Sequence, residues 1–402
     1  MKFSDFNFEP ELMEGLSSMN FEKPTPIQEL SIPIISAGKD IIGCAQTGTG
    51  KTAAFLLPVI NKIIKEYKHV VNTLIIVPTR ELAVQIDEAM QGFGYFTPVT
   101  AIAIFGGKDG ISFEQEKKAL TQGANIIIAT PGRLIAHLNM GYVKFDSIEH
   151  LILDEADRML DMGFSDDLNK IISFLPKQRQ TIMFSATMAP KIRELAKKIL
   201  NNPEQVNIAV SKPAAGVLQG AYLVYNTQKM ALLKSLLTGK NLSSILIFSS
   251  TKDKVKELER DLLRSKFNIA AIHSDLEQDQ RTEVLRQFKN KNIQMLVATD
   301  VLSRGIDIDS IGLVINYDVP RDAEDYIHRV GRTARAETTG VALTLINPED
   351  MRKFKSIEDL IGDEIKKLPL PPQLGEGPAY EPNKKFERPQ GRGGKPAFRK
   401  KR

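Results

Sequence analysis

The sequence predicts an α/β chain: two doubly wound parallel-sheet domains in tandem, followed by a basic, disordered C-terminal tail. Three observations predict it. Short apolar runs recur, separated by helical patterns. The runs are apolar on both faces, as parallel strands covered by helices on each side must be. They also form two series, parted by a stretch rich in Pro, Gly and small residues. Strands alternating with helices in this way build open parallel sheets.

The first series is IIGCA (41–45), TLIIV (73–77), AIAIF (101–105), NIIIA (125–129), LIL (151–153) and TIMF (181–184). The second is AYLVY (221–225), ILIF (245–248), AAI (270–272), QMLVA (294–298), LVIN (313–316) and ALTLI (342–346). The two share a pattern but no residue-level repeat. The seam, NNPEQVNIAVSKPAAGVLQG (201–220), predicts domains at 1–206 and 219–370 with a linker at 207–218. Few apolar residues remain to be buried beyond LPLPPQLGEGP (368–378), so 371–402 reads as a disordered tail.

Charge is uneven along the chain. The net charge is +5, yet residues 373–402 hold nine Lys/Arg against three Glu, which leaves the rest of the chain near −1. A basic end with interleaved glycine and Phe398 points to a polyanion partner; the plainer reading is a solubilising tail. There is no apolar run of 18 or more residues and no N-terminal signal pattern. The expectation is a cytoplasmic protein without membrane contact. A single Cys44 excludes internal disulfides and a Cys-built zinc site, and five His without ligand spacing argue against a His-built one.

AQTGTGKT (45–52) follows a strand pattern and precedes a helix pattern, the context of a phosphate loop. Ala45 stands where the strict pattern has Gly. Gly48 and Gly50 would turn N–H groups toward phosphate oxygens, with Gln46, Thr47 and Thr49 in the same loop. Lys51 would reach the β- and γ-phosphates, and Thr52 would ligate Mg²⁺. Cys44, beside the loop, reads as a small buried thiol.

LILDEADRML (151–160) places three carboxylates in four positions where a buried strand ends. A helix start explains one of them, worth about 1 kcal/mol as an N-cap. It does not explain three, because like charges this close repel. A cation among them would. Asp154 is then a Mg²⁺ ligand through water, Glu155 the group that orients or deprotonates the attacking water, and Asp157 a coupling residue.

With these residues in place, the chain resembles the DEAD-box RNA helicases of helicase superfamily 2, over residues 3 to about 368. A short N-terminus and basic tail resemble the bacterial RhlE-type branch. The resemblance implies two RecA-like domains. NFEKPTPIQ (20–28) is similar to the family's Q motif: Gln28 would pair with the adenine edge and Phe21 would stack on the base, with Phe3 as the upstream aromatic. Asn20 stands where the family often has Gly. PTRELA (78–83), GG (106–107) and TPGR (130–133) are similar to RNA-binding motifs, which makes Thr79, Arg80, Gly107, Thr130, Gly132 and Arg133 candidate backbone contacts. SAT (185–187) implies that Ser185 and Thr187 bond to the acidic loop near Asp157.

In the second half, HRVGRTAR (328–335) is similar to the family's arginine-finger motif. It implies that Arg332 and Arg335 stabilise the transferring phosphoryl group, while His328 and Arg329 help the domains touch. ATDVLSRGIDI (298–308) is similar to the family's motif V, which implies Asp307 near the ribose, Thr299 near RNA or the cleft, and Arg304 in support of the catalytic water or the acidic loop; IFSST (247–251), similar to motif IV, makes Thr251 a candidate phosphate contact. The family reading implies an ATP-dependent, RNA-stimulated ATPase that separates short duplexes and remodels ribonucleoproteins, with ATP and Mg²⁺ as cofactors. An ATP-gated RNA clamp or scaffold would carry identical motifs; a DNA helicase of the same superfamily fits the Q motif and DEAD spelling less well. RNA and ATP are the expected partners, ribosomal or RNA-decay proteins are candidates, and nothing in the chain demands more than a monomer.

Overall fold

The computed structural model describes residues 1–45, 48–106, 110–208, 216–239, 244–299, 311–333 and 340–384, without the side chains of 110–112 and 278. In the first half the strands are β1 (Ile41–Cys44), β2 (Thr73–Ile76), β3 (Ala101–Ile104), β4 (Ile126–Ala129), β5 (His150–Leu153), β6 (Gln180–Ser185) and β7 (Glu204–Asn207). In the second they are β8 (Val217–Leu223), β9 (Ile245–Phe248), β10 (Ile269–Ile272), β11 (Met295–Ala298), β12 (Leu313–Asn316), β13 (Gly340–Ile346) and β14 (Lys367–Leu368). Each apolar run overlaps a strand. The edge strands β7 and β14 lay outside the pattern because they are scarcely buried: only Val206 is buried in β7, and β14 has two residues.

The strands form two sheets, ordered β3-β4-β2-β5-β6-β1-β7 and β10-β11-β9-β12-β13-β8-β14. The pairings are parallel, as with Ile41 beside Ile182 and Leu313 beside Ile245. Alternate residues of a strand join opposite cores. Ile126 and Ile128 pack in one cluster and Ile127 and Ala129 in another, so both faces of the first sheet are covered. The same holds for Ile245 and Ile247 against Leu246 and Phe248 in the second.

Two sequence boundaries shift. β8 opens at Val217, inside the stretch expected as linker. The expectation of disorder from 371 is corrected as far as Lys384. Gln228 Nε2 donates to the carbonyls of Leu374 at 2.8 Å and Glu376 at 3.1 Å, and the Tyr380 hydroxyl donates to Glu358 at 2.9 Å. One aromatic ring and a few backbone carbonyls suffice to hold this polar segment on the second sheet's helices. Residues 385–402, most of the basic tail, lie outside the described residues.

The two sheets share one strand order, shifted by seven. The helix after β1, Lys51–Lys65, therefore corresponds to Asn226–Leu237 after β8. Lys229 of that second helix is buried, and its ammonium donates to the Tyr317 carbonyl at 2.7 Å and to Asp318 at 3.2 Å. Asp318 also accepts from Lys254 at 3.0 Å, the Ser249 hydroxyl at 2.9 Å and the Ser250 N–H at 3.0 Å.

His150, buried at the start of β5, is locked as the neutral Nδ1–H tautomer. Gln180 spends its amide N–H groups on the carbonyls of Ile35 and Lys39, so its oxygen is left to accept from His150 Nδ1 at 2.8 Å. Burial lowers the His150 pKa to about 4. The folded chain therefore takes up the proton less readily than the unfolded one, and stability falls as pH drops from 6.5 toward 4. We expect a loss on the order of 2 kcal/mol between pH 7 and 5. Urea unfolding of wild type and His150→Gln at both pH values checks this, and identical pH slopes would refute it.

Candidate active site

In the first unit the expected ligand-binding segments lie at or just past the carboxyl ends of strands: Ala45 after β1, Thr79 after β2, Gly106 after β3, Thr130 after β4, Asp154 after β5 and Ser185 at the end of β6. Parallel strands bring these ends to one edge, where open sheets bind ligands. The strand order divides the edge. The loops of β3, β4 and β2 occupy one half, the phosphate loop after β1 the other, and the loops of β5 and β6 lie between.

The Ala45 N–H donates to the Ser185 carbonyl at 3.1 Å, tying the phosphate loop to the neighbouring strand end. Gln46 and Thr47 lie outside the described residues. Gly48 and Gly50 have φ of 82° and 91°, values that glycine takes without strain. Space also requires Gly50: a Cβ there would come within 2.4 Å of Gln28 Nε2. Lys51 is buried, and its ammonium crosses the loop to the Ala45 carbonyl at 2.9 Å, with Thr52 next to it in the first helical turn. Cys44 is a buried thiol that donates to the Ala186 carbonyl at 3.4 Å, and burial pushes its pKa up.

The Q-motif glutamine does more than its sequence reading gave it. Gln28 Oε1 accepts from the Thr25 N–H at 2.9 Å, Gln28 Nε2 donates to the Gly50 carbonyl at 3.0 Å, and the Thr25 hydroxyl donates to the Thr49 carbonyl at 2.7 Å. This is a capping box, legible as T-x-x-Q in TPIQ. A primary amide keeps one more N–H and one more lone pair, enough for a base edge. Phe21 is half-buried and meets Phe93 edge-on at 5.2 Å, with buried Phe3 at 6.0 Å. Asn20 has φ of 58°, the left-handed turn that asparagine tolerates in place of glycine.

Asp154, Glu155 and Asp157 are all buried. Burial pushes Asp154 up to about 6; Lys51 opposes this and the Glu155 charge adds to it. Asp154 accepts from the Glu155 N–H at 2.9 Å. Glu155 holds φ 52°, ψ 50°, a strained conformation for a non-glycine residue and one that collects at functional sites. Its carboxylate takes an Arg158 N–H at 3.2 Å. Sequence reasoning missed Arg158, although its i+3 spacing from Glu155 was the available signal.

The link between the acidic loop and SAT is present, made by different atoms. Asp157 Oδ2 accepts the main-chain N–H groups of Ala186 and Thr187, each at 3.1 Å, while the Ser185 hydroxyl donates to the Thr187 carbonyl at 2.8 Å. Thr187 thus meets the acidic loop through its backbone N–H, as does Ala186, while the Ser185 hydroxyl stays within the SAT turn. Backbone donors suit any residue, so side-chain identity gave no warning.

On the other half of the edge, Thr79 caps the helix Arg80–Phe93, and the Arg80 guanidinium lies against Gly106, where a Cβ would be 3.4 Å away. Thr130 precedes the helix Pro131–Asn139, and Gly132 is exposed with open space where a Cβ would sit. Gly107 lies outside the described residues. Arg133, expected at a phosphate, turns inward in this structure. Its Nε donates to buried Glu116 at 2.7 Å, and its guanidinium stacks 4.6 Å from the Phe113 ring.

In the second unit Thr251 caps the helix Lys252–Arg264 after β9, and Thr299 follows β11. A cleft of about 530 Å³ separates the units, lined by Asp157, Thr187 and Arg193 on one side and Asp322, Asp325 and His328 on the other. His328 thus faces the coupling loop. Arg329 turns into its own unit, donating to Asn316 at 3.0 Å and the Asp318 carbonyl at 2.8 Å over the Phe248 ring. These bonds brace the carboxyl end of β12. Arg332 follows that helix and is largely buried. Arg304, Asp307 and Arg335 lie outside the described residues. Among the described residues no three His, Cys, Asp or Glu gather to hold a metal, and no helix is long and apolar enough to cross a membrane.

Comparison with known proteins agrees with this layout. The family described as DEAD/DEAH box helicase matches residues 25–195, and the helicase conserved C-terminal domain matches 228–337. The chain is 41% identical over 371 residues to the ATP-dependent RNA helicase CshA of Listeria monocytogenes, covering 92% of this chain and 71% of the relative. It superposes on S. cerevisiae Dbp5 bound to RNA and ADP BeF3 with a TM-score of 0.83 at 31% identity, over 92% of this chain and 95% of that one. A DEAD box protein from the hyperthermophile Methanococcus jannaschii gives a TM-score of 0.54 at 38% identity, over 92% and 99%. Two matching sheets, a phosphate loop and a carboxylate cluster joined to the neighbouring strand end thus coincide with family matches across both halves, and the chain belongs to the DEAD-box helicase family.

Proposed function

We propose that this chain is an ATP-dependent RNA helicase, in which RNA-stimulated ATP hydrolysis is coupled to domain closure, local duplex separation and ribonucleoprotein remodelling. The observation that carries this reading is Asp157. It joins the carboxylate loop to two backbone amides of the SAT turn and itself lines the cleft to the second unit. A change in nucleotide state at Glu155 therefore has a two-residue path to the surface the second unit meets.

The phosphates lie on the loop amides and on Lys51, which exchanges its Ala45 carbonyl for them. Glu155 orients and deprotonates the attacking water. Arg332 stabilises charge on the γ-phosphoryl group from the second unit, with Arg335 in the same role. Thr52 and Asp154 offer hard oxygen donors beside crowded carboxylates, which fits Mg²⁺ held with substrate phosphates. When bound, Mg²⁺ supplies charge neutralisation on the β- and γ-oxygens. Gln28 reads adenine, Phe21 stacks on it, and Asp307 meets the ribose.

RNA runs along Thr79, Arg80, Thr130 and Gly132 to Thr251 and Thr299, gripped by hydroxyls and backbone groups. Closure is the step that would bring Arg332 to the nucleotide held by the first unit. The two RecA-like domains are assigned to 1–206 and to the chain from β8 onward, and the protein is cytoplasmic. The RhlE-type branch is the finer reading, resting on the basic, glycine-containing tail, while a similar relative carries the CshA name.

Steady-state ATP hydrolysis with and without single-stranded RNA tests this function, together with displacement of a short duplex. We expect RNA to raise turnover at least about tenfold and ATP to drive strand release. RNA-independent turnover would refute the coupling. Stimulation without strand release would favour the clamp.

A further inference from the structure

One buried carboxylate on the RNA half of the edge has no part in phosphate chemistry. Glu116 is 1% exposed, on the helix Gly110–Gln122. Its Oε2 accepts from Arg133 Nε at 2.7 Å and from His137 Nε2 at 2.9 Å. His137 Nδ1 then accepts from the Tyr142 hydroxyl. Phe113, one turn before Glu116, stacks on the His137 ring at 4.2 Å and 14° and on the Arg133 guanidinium. A carboxylate buried this deeply is costly unless cationic and N–H donors meet it, and removing one partner leaves the others stranded.

The cluster bridges two elements. The helix Gly110–Gln122 follows the glycine pair after β3, and Pro131–Asn139 begins with the turn Thr130–Arg133 after β4. These strands are neighbours. Both helix starts therefore lie side by side on the edge where a strand of RNA would be gripped. A single carboxylate fixes the first turn of one helix against the body of the other.

We infer that Glu116 is a positioning residue for RNA binding, and that Arg133 acts through it rather than by meeting a phosphate. The inference rests on the RNA reading of this edge. Arg133 spends its Nε on Glu116 and one face of its guanidinium on Phe113. The contact surface left to this turn is the Thr130 hydroxyl and backbone: Gly132, exposed and open where a Cβ would sit, and the N–H groups of the helix start. Their placement depends on Arg133 being held inward.

Salt dependence separates the two roles of Arg133. A residue that meets a phosphate of single-stranded RNA contributes about 0.7 to the slope of log affinity against log salt; a positioning residue contributes none. RNA binding to the full chain is measured from 50 to 300 mM salt (about that range) for wild type, Glu116→Ala, Glu116→Gln, Arg133→Ala and the Glu116→Ala/Arg133→Ala pair. Half-saturation of the RNA-stimulated ATPase is measured alongside.

We expect Glu116→Ala and Arg133→Ala each to weaken RNA binding about tenfold, with maximal turnover within about twofold of wild type. The double variant should be no weaker than either single, because both break one device. Glu116→Gln, whose amide oxygen still accepts from both donors, should recover most of the affinity. All slopes should match wild type. A slope reduced by about 0.7 in Arg133→Ala would overturn the inference, as would unchanged RNA affinity in Glu116→Ala. If Glu116→Ala does not fold, Glu116→Gln and Arg133→Ala still decide through affinity and slope. A wild-type chain that binds RNA without ATPase stimulation would count against the proposed coupling and leave the isotherms to judge Glu116.

Discussion

Glu155→Gln lowers RNA-stimulated ATP turnover by about 10²–10⁴ while leaving ATP and RNA binding close to wild type. The substitution keeps size and shape and removes one negative charge. The backbone is already held in the left-handed turn by the end of β5, and the Glu155 carboxylate is turned to Arg158 at 3.2 Å. An amide oxygen still accepts from that guanidinium, so the loop should persist. What is lost is the group that takes the proton from water. Single-turnover hydrolysis beside equilibrium nucleotide binding checks this. A fall in turnover of less than about tenfold would remove Glu155 from the base role and leave it as a partner of Arg158.

Arg332→Ala should cost turnover about 10³-fold or more, the range seen when an arginine finger is removed. On the proposed reading the phosphate loop and Gln28 of the first unit hold most of the nucleotide and Asp307 adds a ribose contact, so ATP affinity should change much less. Arg332→Lys should rescue little. An ammonium carries the charge but lacks the planar fork that meets two phosphate oxygens at once. The position of Arg332 supports this: it follows the helix Ala323–Val330, whose residues Glu324, Asp325 and His328 line the cleft. Turnover and nucleotide binding measured together decide the point. A parallel loss of both would place Arg332 in binding, not in the transition state.

The sheets were legible because parallel strands buried on both faces leave unbroken apolar runs, and Ile126–Ala129 or Leu313–Asn316 have no other use. The phosphate loop was legible because Gly48, Gly50 and Lys51 meet a local demand within a few residues. What stayed hidden was long-range or backbone-made. Arg133 read as a phosphate contact because its partner Glu116 lies 17 residues upstream and becomes a neighbour only when β3 pairs with β4. The tie from Asp157 to the SAT turn uses amides that any sequence supplies. Arg329 looked like part of a motif at the cleft, yet its anchors Asn316 and Asp318 come from the end of β12 and the turn just after it. Tyr380 lay in a segment too polar to suggest packing, yet its hydroxyl bonds to Glu358 and its ring meets Phe354 and the Lys367 ammonium.

The shared strand order of the two sheets carries a consequence for stoichiometry. Lys229 lies in the first turn of the helix that corresponds to the one Lys51 opens, but it is answered from within by Asp318, and only Val224 and Tyr225 separate β8 from its helix. A phosphate arriving there would meet a carboxylate in its place and no loop to wrap it. On the proposed reading, the described residues offer one fuel socket and one blanked-off twin. Two working sockets would allow four occupancy states and half-fired intermediates; this arrangement allows loaded or empty. Each cycle of the motor is then a single stroke, counted by one nucleotide, and larger rearrangements of RNA must be built by repeating the stroke, not lengthening it.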